Sequence, residues 1–315
     1  CEMLERKMNT ARSDAEHALE SSLRKITDWQ GLTITYSRVN AGFTNFNFLV
    51  HVAEQDRTYF AKVVGPNTEV FINRKVAHEA AVLSSDCGVG PNIAQYVEED
   101  NFEVYDFLTG FRNCSITDML DPEISERVMK AYAKIHSSMP LPASKSGFEQ
   151  IREHVLQARD AGADFPPDFG NLIVRMEQAE VALVSSGMAM VPCFNDCYVT
   201  NYMVNDTKEL RIVDWEYGAN NDPYWDLASY FFECFADADA RNRLLKVYRP
   251  DAGVQEGARV TLYLPLVCFK WGLWASLQAS ISSIEFDYLK YADILFLRAR
   301  YLMGQESWAK ALNNI

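Results

Sequence analysis

Basic residues are in short supply. Lys and Arg number 30 against 43 Asp and Glu, a formal charge of −13 over 315 residues. A nucleic-acid binder needs the reverse, a basic stripe that displaces counterions from phosphates, so that class is excluded. The seven cysteines are an odd, scattered set without framework spacing, which argues against a disulfide scaffold and for a reducing compartment. Cys193 and Cys197 lack companions at zinc-site spacing and read as small apolar fillers around a loop. No apolar run spans a bilayer: the longest, Val260 to Leu277, is interrupted by Lys270. The N-terminal stretch is rich in Glu, Arg and Lys and has no apolar core of signal-peptide length. The expectation is a cytoplasmic protein, not an integral membrane one.

Several active-site signatures are also missing. There is no Gly-x-x-x-x-Gly-Lys-Ser/Thr phosphate loop, no Gly-x-Ser-x-Gly elbow and no His-Glu-x-x-His zinc helix. Gly88-Val-Gly90-Pro91 lacks the third glycine of a dinucleotide turn and reads as a helix stop. Internal repeats and low-complexity linkers are absent as well.

What is present is the composition of a compact chain, 48% apolar and 12% aromatic. The acidity is compatible with a cationic small-molecule partner, and equally with plain solubility. Residues 14–25 have the pattern of an amphipathic helix. Short β-rich pieces follow at 32–39, 46–52 and 59–64, then a helix at 72–83 and strands at 93–97 and 102–107. Beyond Gly110 the pattern turns helical, at 124–138, 148–161, 172–185, 228–235, 260–282 and 288–303. This predicts an α+β chain with a β-rich N-terminal lobe (1–107) and a larger helical lobe (108–315), the default site being the cleft between lobes.

Two aspartates carry the chemistry. Asp196, in Phe194-Asn-Asp196-Cys-Tyr-Val-Thr-Asn201, heads a loop that ends five residues later in an Asn. Asp214 ends the apolar run Ile212-Val213. Phosphoryl transfer needs such a set: a carboxylate to orient the acceptor hydroxyl, and oxygen ligands for Mg²⁺. Alone, each Asp could be a loop or helix cap. Lys62 lies among apolar strand residues, either paired with Glu79 on the following helix or solvated at a sheet edge. Ala41-Gly42-Phe-Thr44-Asn45 reads as a hairpin turn or as backbone that approaches phosphate. Trp271 and Trp274 share a helix face, as core packing or as a cage for a quaternary ammonium, with Tyr217 and Tyr291 as further rings and Glu233 as counter-charge.

With these residues in place, the chain resembles the choline/ethanolamine kinases, a branch of the protein-kinase-like fold that includes the aminoglycoside phosphotransferases. The resemblance runs from about Val39 to Leu302. It is carried by Gly42-Phe-Thr44-Asn45, Ile72-Asn-Arg74 with Glu79, Gly88-Val-Gly-Pro91, Asn195-Asp196…Asn201, Val213-Asp214-Trp-Glu216-Tyr217 and Trp271-Gly-Leu-Trp274…Ile284-Glu285-Phe286…Tyr288. It implies a bilobal kinase using ATP and Mg²⁺. Asp196 would be the catalytic base, and Asn201 and Asp214 the metal ligands. Gly42, Thr44 and Asn45 would line the phosphate loop, and Lys62, paired with Glu79, would touch the α- and β-phosphates. Tyr105-Asp106-Phe107 would present backbone to adenine. Tyr217, Glu233, Trp271, Trp274 and Tyr291 would form the choline pocket. Rival readings are ethanolamine or an aminoglycoside as acceptor, and a non-catalytic pseudokinase that binds a quaternary amine. Two departures stand out: Phe194 replaces the family's usual His, and residues 236–238 are small or acidic where some relatives place another pocket aromatic.

Overall fold

A computed structural model describes residues 5–39, 45–65, 72–282 and 284–315. The chain divides into two compact units, Cys1–Arg112 with Met203–Tyr217, and Asn113–Tyr202 with Gly218–Ile315. The division expected after residue 107 therefore falls at Arg112. Met203–Tyr217, expected in the helical lobe, belongs to the first unit.

The first unit opens with β1 (Arg6–Lys7), α1 (Asp14–Leu23), β2 (Ile34–Val39), β3 (Asn45–Val52), β4 (Arg57–Val64), α2 (Arg74–Asp86), β5 (Ile93–Val97) and β6 (Phe102–Asp106). Its sheet has the order β1-β2-β3-β4-β6-β5, with every neighbouring pair antiparallel. Period-two alternation sorts the two faces. In β4, Tyr59, Ala61 and Val63 are buried with Tyr36, Phe48, Val50 and the α1 residues Ala15, Leu19 and Leu23. Lys62 takes the opposite face with Phe60 and Val64. Because β4 lies between β3 and β6, Lys62 is not an edge residue. Local signals set the helix ends. Ser13 and Glu16 close a capping box on α1. After α2, Gly88 takes φ +64, and the Val89 N–H donates back to the Ser84 carbonyl (2.9 Å), the helix stop expected there.

The chain continues through β7 (Arg112–Asn113), α3 (Ile116–Leu120), α4 (Pro122–His136), α5 (Gly147–Asp160), α6 (Phe169–Ser185), β8 (Val191–Cys193), β9 (Tyr202–Val204), β10 (Leu210–Ile212), β11 (Ala219–Asn221), α7 (Pro223–Glu233), α8 (Ala238–Tyr248), α9 (Val254–Ile281), α10 (Tyr288–Met303) and α11 (Glu306–Asn314). Helix α7 starts five residues before the expected position. Pro223 occupies its first turn, and Asp222 caps it by accepting from the Tyr224 N–H at 3.0 Å. Helix α9 is 28 residues long, well beyond the expected 260–282, and its most apolar stretch is 83% buried. It is the central helix of the second unit, with α5, α7, α10 and α11 packed against it. Gly272 permits the close approach of α10: a Cβ there would lie 2.8 Å from the Phe296 ring. Helix α8 was not expected. Only Leu244 and Leu245 of it are buried, too little apolar pattern to register.

Candidate active site

In the second unit, the antiparallel pair β8–β11 sets Cys193 opposite Ala219 and releases the chain into the Asp196 loop. Asn195 turns that corner in the left-handed region at φ 64, which Asn tolerates better than most residues. Its side chain is pinned: Nδ2 donates to the Ala219 carbonyl (3.1 Å), and Oδ1 accepts from Asn221 Nδ2 (2.8 Å) and Gln150 Nε2 (3.3 Å). The main-chain N–H groups of Phe194 and Asn195 both donate to the buried Asp226 carboxylate, at 2.7 and 2.8 Å. His136 Nε2 reaches the same carboxylate at 3.1 Å, while Nδ1 meets the Tyr248 hydroxyl at 3.0 Å. A carboxylate only accepts, so Nε2 carries a proton and donates to Asp226. Phe194 is fully buried, edge-on to Tyr202.

Asp196 emerges from this frame 9% exposed. Asn201 Nδ2 donates to its Oδ2 (3.0 Å) and to its main-chain oxygen (3.2 Å). With the amide nitrogen so used, Asn201 offers Oδ1 as its ligating atom, the hard oxygen Mg²⁺ takes. The loop thus brings together two sequence-predicted residues in one hydrogen-bonded pair.

In the first unit, Asp214 follows β10 with φ 68. Its Oδ1 lies 2.5 Å from Lys62 Nζ. The expected partner of Lys62 was Glu79; the structure pairs it with Asp214 instead. Burial would pull the Lys62 ammonium down, but Asp214 and Glu216 outweigh it and hold the pKa above the usual lysine value. Asn45 donates to Glu216 (2.8 Å) and accepts from Arg74 (3.1 Å). These side chains, with Glu103 and Tyr105, line one polar pocket within this unit. Gly42 and Thr44 lie outside the described residues. Tyr105 and Asp106 are the last two residues of β6, within the strand expected at 102–107. The Asp106 N–H donates to the Asn92 carbonyl (2.9 Å), and its carboxylate pairs with Arg57 (2.7 Å). Of the three residues assigned to adenine, Phe107 alone lies past the strand. Tyr217 falls in this unit, apart in the chain's division from the other ring candidates.

In the second unit, Trp271 and Trp274 meet edge-to-face at 5.8 Å, and ring contacts continue from Trp274 to Tyr288 (6.0 Å), Phe286 (4.9 Å) and Tyr291 (5.9 Å). Phe286 and Tyr288 extend the expected cluster; their signal is the aromatic spacing of Phe286-Asp-Tyr288 at the start of α10. Glu233 accepts from the Val199 N–H (2.9 Å), and burial raises its pKa above the carboxylate range despite that bond and Arg298. The Tyr291 phenol is pushed up to about 12 by burial and the Glu233 charge. The Tyr198 phenol, 46% exposed, is pushed up by burial and by the charges of Glu233 and Asp196. Lys270, 2% exposed, sets its ammonium 3.2 Å from the centroid of the Trp271 ring.

Comparison with known proteins agrees with this set of parts. The sequence model of the choline/ethanolamine kinase family matches residues 36–248. "Probable choline kinase 2" of Arabidopsis thaliana is 25% identical over 269 residues, covering 75% of this chain and 75% of its own. "Probable ethanolamine kinase" of the same plant is 26% identical over 296 residues, covering 83% and 76%. Among solved structures, a choline/ethanolamine kinase family protein from Mesorhizobium loti superposes with a TM-score of 0.80 at 23% identity, over 95% of this chain and 98% of that one. The expected α+β, protein-kinase-like architecture is therefore the observed one. With the family model spanning more than half of the residues, the chain belongs to the choline/ethanolamine kinase family, kinases that phosphorylate an alcohol group.

Proposed function

We propose that the protein transfers the γ-phosphoryl group of ATP to the hydroxyl of choline, yielding phosphocholine and ADP. Asp196 orients that hydroxyl and takes its proton as the oxygen attacks phosphorus in line. Asn201 holds the carboxylate in position through its amide nitrogen. Mg²⁺, for which Asn201 Oδ1 and the Asp214 carboxylate are suitable hard ligands, would neutralise the phosphates. Lys62 is the cation assigned to the α- and β-phosphates, and its ion pair with Asp214 puts it beside a proposed metal ligand. By resemblance, Gly42, Thr44 and Asn45 form the phosphate loop, and Tyr105-Asp106-Phe107 present backbone to adenine. Tyr217 and Glu233 join the acceptor pocket on the same ground.

The relatives' names divide between choline and ethanolamine, so the choice rests on ring chemistry. The unbroken run of aromatic contacts from Trp271 to Tyr291 carries it. Each ring face attracts a weakly hydrated trimethylammonium by about 0.5–2 kcal/mol. A primary ammonium asks for several acceptors in exchange for its water, whereas the carboxylate acting on Tyr291 of the cluster is that of Glu233. The test is ADP release by the pure protein with Mg-ATP and choline, ethanolamine or no acceptor. Choline should give the higher kcat/KM, and Trp274→Ala should cost choline more than ethanolamine. A higher kcat/KM for ethanolamine overturns the choline assignment, and no acceptor-dependent turnover overturns the kinase reading.

A further inference from the structure

Lys270 is an anomaly of the second unit. Lysines are rarely this deep inside a protein, and this one is 2% exposed on the central helix α9. Its ammonium lies over the Trp271 ring, the position a cationic substrate would take. We propose that Lys270 is a resident cation of the acceptor subsite, occupying the Trp271 ring until a cationic amino alcohol binds and then yielding its charge as a neutral amine. This rests on the reading that Trp271 belongs to the acceptor pocket.

The surroundings support a lysine that can lose its proton. Burial pulls its pKa down to about 7; Asp196 and Glu153 oppose that shift and Lys145 adds to it. Lys145 and Glu153 form an ion pair with each other. His154 on α5 is itself pulled down to about 3 by burial and the Lys270 charge, so it stays neutral. On the other packed helices, Glu233 of α7 and Arg298 of α10 act on each other. Two full charges of one sign on a single ring in a dry site repel strongly. Release of the Lys270 proton to solvent costs only a factor of about ten in affinity for each pH unit below its pKa. Binding of a fixed cation should therefore expel the proton rather than tolerate the repulsion.

Choline suits the test because its charge does not titrate. It is titrated into the wild-type protein by calorimetry at about pH 6 and about pH 8.5, in two buffers of different ionisation heat. Affinity should tighten about tenfold on going to the higher pH, with close to one proton released per choline at the lower. Lys270→Met, of similar length and uncharged, should bind at the lower pH as tightly as the wild type does at the higher, with no proton released. Proton release that persists in Lys270→Met would assign it to another group, Glu233 first, and overturn the proposal. So would choline binding by the wild type with no pH dependence and no proton release, which leaves the acceptor assignment standing. If the wild type binds no choline at either pH, the acceptor assignment itself falls and the proposal with it. Should Lys270→Met misfold, Glu233→Gln replaces it: proton release that persists there supports Lys270, and proton release that disappears there overturns the proposal.

Discussion

Asp196 and Phe194 stand two residues apart and are held by different means. Asp196 is held through its side chain by Asn201, so truncation removes the proposed base together with its aim. Asp196→Ala should lower kcat about 10²–10⁴-fold while the melting temperature stays within a few degrees; a variant that keeps half its activity places the base elsewhere. At Phe194 the contact that shapes the loop is the main-chain N–H on Asp226, which any side chain leaves in place. The ring fills an apolar space against Tyr202. Phe194→His should therefore alter kcat by no more than about tenfold, some 1.4 kcal/mol in barrier, and should lower stability, because an imidazole in that space needs a partner. An inert wild type that Phe194→His switches on would show the side chain, not the backbone, to be the organiser. The substitution was visible in the sequence. The backbone anchor that should make it tolerable was not, because Asp226 lies far along the chain, in the first turn of another helix.

Among the elements, α7 does more than its length suggests. Its first turn delivers Asp226 beneath the catalytic loop, and α4 brings His136 to the same carboxylate from the other side. Asp226 accepts three hydrogen bonds with almost no solvent contact. Asp226→Asn puts an amide NH₂ where donors already point, leaving at least one buried N–H unsatisfied. The expected loss is about 1–3 kcal/mol of unfolding free energy, with kcat falling through a misplaced Asp196. Urea unfolding and steady-state kinetics on the same variant check both. A loss of stability with unchanged kcat would make Asp226 a packing residue only. The start of α7 was readable in hindsight from Asp222-Pro223, a capping residue followed by a first-turn proline. The apolar run that begins at Ala228 masked it.

At the scale of the whole molecule, a buried lysine makes stability depend on pH. Folding moves the Lys270 pKa from 10.5 to about 7. Between those values the unfolded chain binds the extra proton, so wild-type stability rises with pH across that window. Below about pH 7 both states are protonated and the penalty is constant. Lys270→Met has no such group. It should be the more stable protein near neutrality, by roughly 1.4 kcal/mol for each pH unit of the shift as an upper bound, with the gap closing toward about pH 10. Denaturant unfolding of both proteins at neutral and alkaline pH measures it. A gap that does not change with pH would mean that Lys270 keeps its proton in the fold.

Local chemistry was legible from the sequence. The period-two strands and the Gly88 stop each lie within one short window, and each formed as read; the hydrogen-bonded Asp196 and Asn201 also lie within one such window. The identity of the family was legible too, because its motifs are short and ordered along the chain. What tertiary structure alone decided were the partners. Lys62 chose Asp214, 152 residues away, over the nearer Glu79. Asp226 took the backbone of a loop 31 and 32 residues before it. Lys270, which looked like a break in an apolar run, became the most deeply buried cation beside the candidate base. Ion pairs and buried charges are settled by which elements meet, and a charge left dry must take whatever partner packing brings to it.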